Sequence, residues 1–158
     1  MPDPERDNER DPELHEAAIR LLARREHAAG ELALKLEQRG YGRAAIDAEI
    51  ERLAAEGLQS DERFANLFVE QRVARGDGPL KLRSALGERG VDRQIIDAAL
   101  LPFEEEWTSL AREALERRFG VSAPATRAEL SKRMRFLQGR GFPAGIVRRV
   151  TDYDNADE

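Results

Sequence analysis

LEQRGY at Leu36–Tyr41, LGERGV at Leu86–Val91 and LQGRGF at Leu137–Phe142 are variations on one hexapeptide. Each places a Leu four residues before a Gly, an Arg directly before that Gly and an apolar residue directly after it. The glycines fall at positions 40, 90 and 141, so the spacings are 50 and 51 residues. A helix can end in this way: glycine adopts positive φ, and the apolar residue behind it packs back on the helix just left. An isoleucine follows each Gly by five or six residues (Ile46, Ile96, Ile146), so a new helix starts promptly. A period of this size marks a tandem array, in which each unit mainly touches its neighbours.

Working outward from the motif, helical spacing fills the rest of the body. Leu14, Ala17, Ala18, Leu21 and Leu22 share one helical face, as do Phe64, Leu67 and Phe68, and then Trp107, Leu110, Ala111, Ala114 and Leu115. No run of alternating β-branched residues and no Asn-Gly or Asp-Gly hairpin signal argues for strands. Ser60 is placed to cap a helix start, Pro79 suits a first helical turn, and Thr126 with Glu129 makes a capping box. Gly57, Gly120 and Gly141 punctuate helix ends. The pattern predicts nine helices over 14–26, 30–39, 43–56, 61–75, 79–88, 92–100, 103–119, 127–139 and 143–152, with ends good to about two to four residues. The expected fold is all-α: three tandem three-helix repeats (14–58, 59–102 and 103–153) forming an elongated, curved array. Residues 1–13, with three prolines and alternating charge, are expected to be a disordered acidic extension, and 154–158 an acidic tail.

Composition narrows the function classes. There is no cysteine, which excludes disulfides and thiolate metal sites. No apolar run approaches a membrane span, and the acidic start does not resemble a signal peptide, so a cytoplasmic protein is expected. The net charge of −5 conceals a gradient. Residues 1–16 carry seven acids and two bases; 107–151 carry ten bases and three acids. Exposed charges are screened beyond about 8–10 Å, so this local excess outweighs the total.

No catalytic constellation is legible. His15 and His27 are twelve residues apart with no metal-site pattern, so solvation or packing is expected of them. GDGPLK at Gly76–Lys81 lacks the strand and the ending of a phosphate loop; it reads as a turn feeding a Pro-started helix. Glu104, Glu105 and Glu106 read as first-turn acids that complement a helix dipole. None of the five serines sits in a nucleophile motif, and an enzyme, a cofactor or a resident metal is not expected.

Arginine does stand out: 23 arginines accompany three lysines. Guanidinium groups match phosphates and carboxylates through paired hydrogen bonds. Most single arginines are expected to face solvent or pair with acids on their own helix. In the last repeat acids are too few to pair with the bases, and a phosphate-bearing or acidic partner is expected there. Aromatic stacking platforms for bases are not evident.

HAAGELALKLEQRGY at 27–41, AAEGLQSDERFANLFVEQRVARGDGPLKLRSALGERGV at 54–91 and RMRFLQGRGF at 133–142 together resemble the RecX family. The resemblance spans about residues 17–150. It is carried by Glu31, Leu32, Leu36, Arg39, Gly40 and Tyr41, then by Asp61–Ala65, Gly78 and Pro79, and finally by Phe136, Leu137 and Arg140–Phe142. It implies tandem three-helix units, in agreement with the repeat. It also implies a regulator of RecA recombinase in DNA repair and homologous recombination. Such a protein would bind in the groove of the RecA–single-stranded DNA filament and restrain filament extension, ATP hydrolysis and strand exchange. The partners implied are that filament and single-stranded DNA, with double-stranded DNA left open; no membrane partner is implied, and a monomer is expected for want of a spare apolar stripe. Contact roles are expected of Arg25, Arg63, Arg72, Arg75, Lys81, Arg83, Lys132, Arg133, Arg135 and Arg140. The chain departs from the family at Ala28-Ala29, where a Ser-Arg pair is common, and in its acidic head. The competing expectations are an independent helical DNA-binding module, which lacks a clear recognition helix, and a scaffold without salt-sensitive DNA affinity.

Overall fold

The computed structural model describes residues 10–152, and its regular secondary structure is helical throughout. Nine α-helices run among the described residues: α1 Pro12–Arg24, α2 Ala29–Gln38, α3 Arg43–Ala55, α4 Asp61–Ala74, α5 Pro79–Glu88, α6 Arg93–Leu100, α7 Trp107–Phe119, α8 Arg127–Gly139 and α9 Ala144–Asp152. A 3-10 turn, Leu101–Phe103, follows α6. Apart from α7, these bounds differ from the sequence expectation by no more than two residues at either end. The expected acidic extension over 1–9 and the tail at 154–158 lie outside the described residues.

Order begins earlier than the composition implies. Asp11 caps α1, its carboxylate accepting from the amides of Glu13 (3.0 Å) and Leu14 (3.4 Å), with Pro12 in the first turn. Arg10 is held by the carboxylates of Glu49 (3.0 Å) and Glu56 (2.6 Å). Residues 10–13 are therefore structured, because an Asp-Pro pair that looks like disorder by composition is also a strong helix start. The second correction concerns α7. The amides of Glu104 and Glu106 donate to the Leu101 and Phe103 carbonyls three residues back, and the first four-residue bond runs from the Leu110 amide to the Glu106 carbonyl. Pro102 and the tight turn around it delay the helix to Trp107, so Glu104–Glu106 precede its first turn.

The chain folds as two compact units. One comprises, of the described residues, 10–64 and Arg89–Val91. In it α1, α2 and α3 bury Leu14, Ala18 and Leu21 against Leu32, Ala33 and Leu36 and against Ile46, Ile50 and Leu53. Gly40 takes φ +95°. The Tyr41 amide then donates to the Leu36 carbonyl (3.3 Å) and the Gly40 amide to that of Glu37 (3.0 Å), a Schellman closure. Gly30, in the first turn of α2, receives the Arg89-Gly90 turn so closely that a Cβ would lie 2.5 Å from the Arg89 carbonyl oxygen. Arg89 also faces Glu31 at 3.8 Å.

The other unit comprises, of the described residues, Ala65–Glu88 and 92–152. Here α5 packs on α6, and α7, α8 and α9 pack on one another around Trp107, Ala111, Leu115, Leu137, Phe142, Val147 and Val150. The third hexapeptide closes α8 as the first closes α2: the Phe142 amide reaches the Leu137 carbonyl (3.1 Å) and the Gly141 amide that of Gln138 (3.0 Å). Its Arg140-Gly141 turn docks against the start of α5. The Gly78 amide donates to the Arg140 carbonyl (2.7 Å) and the Leu80 amide to the Gly141 carbonyl (2.9 Å). Thus, within each unit, an Arg-Gly turn is received by a glycine near a helix start, with an acid beside that glycine facing the arginine. In the second unit that acid is Asp77, 3.6 Å from Arg140.

Candidate nucleic-acid interface

The cations expected to contact a partner meet different fates. In the first unit Arg25 ends α1 and grips Glu31 with both terminal nitrogens (2.9 and 3.0 Å). Burial opposes ionisation of Glu31, but the Arg25 guanidinium and the Ala28 amide outweigh it and hold the carboxyl below its ordinary range. Arg63 donates to Glu26 (3.0 Å) and to the Gly57 carbonyl (2.7 Å). Both arginines are engaged within the chain.

His27 lies close by and is buried. Its Nδ1 is 3.0 Å from the Arg25 carbonyl and its Nε2 3.0 Å from Lys35 Nζ. Only a neutral ring, donating from Nδ1 and accepting at Nε2, satisfies both neighbours. Burial, reinforced by the Arg25 and Lys35 charges, pushes its pKa below the ordinary value. His15 instead contacts Glu49 at 2.6 Å. Among the described residues no group of acids and histidines could hold a metal ion.

In the second unit the cations converge. Gly76, at φ +94°, ends α4, and Asp77 behind it is buried. Three cations surround its carboxylate: Arg72 at 3.7 Å, Lys81 at 3.4 Å and Arg140 at 3.6 Å. Arg72 also stacks over Phe68 (4.8 Å), and Arg140 over Phe136 (5.3 Å). The GDGPLK stretch is therefore the turn-and-helix start expected, with a buried acid that holds cations at its border.

Next to this cluster is a cavity of about 190 Å³ lined by Arg75, Arg117, Arg118, Arg140, Phe136 and Gly76. Arg117 donates to the Ala74 carbonyl (3.3 Å) and Arg140 to the Arg75 carbonyl (3.4 Å). These two guanidiniums thereby cap the C-terminal end of α4, where the helix dipole favours positive charge. Arg75 and Arg118 are exposed. No acid lines the cavity.

The remaining expected residues lie apart from this cavity. Arg83 pairs with Asp97 across α5 and α6 (2.6 Å). Lys132 and Arg135 are exposed on α8. Arg133 is buried: one nitrogen reaches Glu129 (3.2 Å), the guanidinium lies over Phe119 (5.3 Å), and its Nε has no partner. It sits on the stripe Leu130–Arg133–Leu137 that faces the core, so it offers nothing to an external phosphate. The Arg117-Arg118 pair is visible in sequence as a charge pair at a helix end, but nothing there places it beside Arg75 and Arg140.

Profiles of the RecX family match the chain in order: its first three-helix domain over residues 15–53, its second over 60–100 and its third over 104–151. The regulatory protein RecX of Halorhodospira halophila is 44% identical over 145 residues, covering 92% of this chain and 90% of that protein. The protein of the same name from Xanthomonas campestris pv. campestris is 42% identical over 140 residues, covering 89% and 86%. Among solved structures, RecX from Lactobacillus salivarius superposes with a TM-score of 0.74 at 20% identity, covering 91% of this chain and 96% of that one. A second crystal structure of a regulatory protein RecX gives the same TM-score at 21% identity, covering 89% and 70%.

Proposed function

The chain belongs to the RecX family, and on that premise we propose that it is a non-catalytic regulator, mainly an inhibitor, of RecA recombinase. In this reading it binds in the groove of the RecA–single-stranded DNA filament and restrains filament extension, ATP hydrolysis and strand exchange. The observation that carries the reading is the unbroken succession of three family domains across the body, shared with relatives named as regulatory proteins. The gathering of cations in the second unit supports it, because a filament groove presents DNA phosphates. Those phosphates attract guanidinium groups strongly and with marked salt dependence. Within the expected contact set, Arg75, Lys81, Lys132, Arg135 and Arg140 are the members proposed to face the partner. Arg25, Arg63, Arg72, Arg83 and Arg133 serve intramolecular contacts. No helix among the described residues is long and apolar enough to cross a membrane, and action in the cytoplasm belongs to the same proposal.

The test is the ATPase rate of a preformed RecA–single-stranded DNA filament during titration of this protein below one copy per recombinase subunit. A steep fall is expected. An unchanged rate, with the protein folded and the DNA saturated by recombinase, would overturn the inhibitory reading.

A further inference from the structure

We infer that the four-arginine cavity at the end of α4 is a seat for the phosphodiester backbone of a single nucleic-acid strand. The inference deepens the nucleic-acid side of the proposed function and rests on it for the identity of the strand. Arg75, Arg117, Arg118 and Arg140 reach the cavity from three places in the chain, and no carboxylate lines it to neutralise them. Their mutual repulsion is offset only in part, by Asp77 beside Arg140 and by the carbonyls at the end of α4, and a seated phosphate would offset the rest. Two of them are anchored. Arg117 and Arg140 each donate to a carbonyl at the end of α4, and Asp77 faces Arg140 from the other side at 3.6 Å. Anchoring fixes their positions in advance, so a bound anion need not order them. Arg75 and Arg118 are exposed and complete the ring.

Size discriminates between ligands. Sites that enclose a whole drug-sized molecule run to roughly 300–1,000 Å³. The cavity here, at about 190 Å³, is too small to enclose a nucleotide and large enough for a phosphate group. Its walls suit a strand that crosses the opening with one phosphate seated, and Phe136 gives the cavity an apolar wall. Phe136 is held edge-on to Phe119 (5.4 Å) and covered by Arg140, so it is part of the seat rather than a free stacking platform for bases.

The test compares two charge-matched double variants in binding a labelled single-stranded oligonucleotide across a salt series. Arg75→Gln with Arg118→Gln removes two exposed members of the ring and leaves in place Arg117 and Arg140, which bond the end of α4. Arg148→Gln with Arg149→Gln removes two exposed cations of α9 outside it. Circular dichroism melts verify that both remain folded. The ring variant is expected to lose affinity roughly tenfold near 0.1 M salt and to lower the slope of log affinity against log salt by about 1.4, two contacts at 0.7 each. The α9 variant is expected to change much less. Equal losses in the two variants, or no loss in the ring variant, would overturn the seat. Pyrophosphate and ATP serve as competitors: displacement only at concentrations set by ionic strength is expected, and saturable micromolar displacement by ATP would assign the cavity to a free nucleotide and overturn the strand. The filament ATPase assay is independent of this result. Inhibition retained with normal oligonucleotide binding by the ring variant would refute the seat alone, whereas ring-dependent binding without inhibition would refute the regulatory reading alone.

Discussion

Replacing Gly78 by Ala tests the joint that sets the cation cluster in place. A Cβ on Gly78 would lie 2.7 Å from the carbonyl carbon and oxygen of Gly141 and 2.8 Å from the Phe142 nitrogen. All three are backbone atoms, so no rotamer change relieves the overlap. Restoring an ordinary contact of 3.4 Å requires the two segments to separate by about 0.7 Å. The bonds from Gly78 to Arg140 (2.7 Å) and from Leu80 to Gly141 (2.9 Å) would then lengthen to about 3.4 and 3.6 Å, the first weakened and the second lost. Leaving buried backbone groups unsatisfied costs about 1–3 kcal/mol each. The smaller conformational entropy of unfolded Ala returns about 0.4–1 kcal/mol. The net expectation is a loss of about 2–4 kcal/mol. Gly87→Ala is the matched control: that glycine lies within α5 with nothing near its Cβ position, and the exchange should gain about 0.5–1 kcal/mol. Urea unfolding followed by far-UV circular dichroism reads both. A Gly78→Ala protein within about 0.5 kcal/mol of the parent would refute the argument that the joint is packed backbone to backbone.

Three further outcomes follow from single sites. His27 is held neutral with a pKa below its unfolded value. The native state therefore binds fewer protons there than the unfolded chain, so its stability is complete above about pH 6.5 and falls as pH drops below that value. Urea midpoints from pH 7 to 5 should fall less steeply in His27→Gln than in the parent; parallel slopes would contradict the buried neutral ring. Thr126 Oγ1 accepts from the Glu129 amide (3.1 Å) at the start of α8, so Thr126→Ala should cost about 1 kcal/mol in the same assay, and no change would remove the cap from the account. Arg133→Met exchanges a buried, incompletely paired cation for an apolar side chain of similar length. It should leave stability unchanged or raised and oligonucleotide affinity within about twofold; a tenfold loss of affinity would return Arg133 to the contact surface.

The repeat is legible in sequence because its determinants are local. A Schellman closure needs only a Leu, a Gly and an apolar residue at fixed offsets, and Leu36–Tyr41 and Leu137–Phe142 form it as read. The capping box at Thr126 is legible for the same reason, with one adjustment: Glu129 reaches back to the Ala125 amide (2.9 Å) rather than to that of Thr126. The start of α7 is misplaced by sequence because three glutamates look like a helix beginning, whereas Pro102 and the 3-10 turn around it set the backbone. Arg133 is buried, a position its charge conceals in sequence although Leu130 and Leu137 at i−3 and i+4 already place it on the inward stripe. The cavity is not legible at all. Arg75, Arg117 and Arg140 meet only because α7 and α8 bring their ends to the end of α4, and no local pattern encodes that meeting.

In the function proposed, this protein acts on a recombinase filament rather than on DNA alone. The most direct measurement is its affinity for a RecA–single-stranded DNA filament beside its affinity for the same bare strand, at matched salt, by co-sedimentation or anisotropy. Clearly tighter binding to the filament is expected, with a salt dependence that the Arg75→Gln, Arg118→Gln variant reduces. Equal or weaker binding to the filament than to the bare strand would contradict it and point to a DNA-binding module that works without the recombinase.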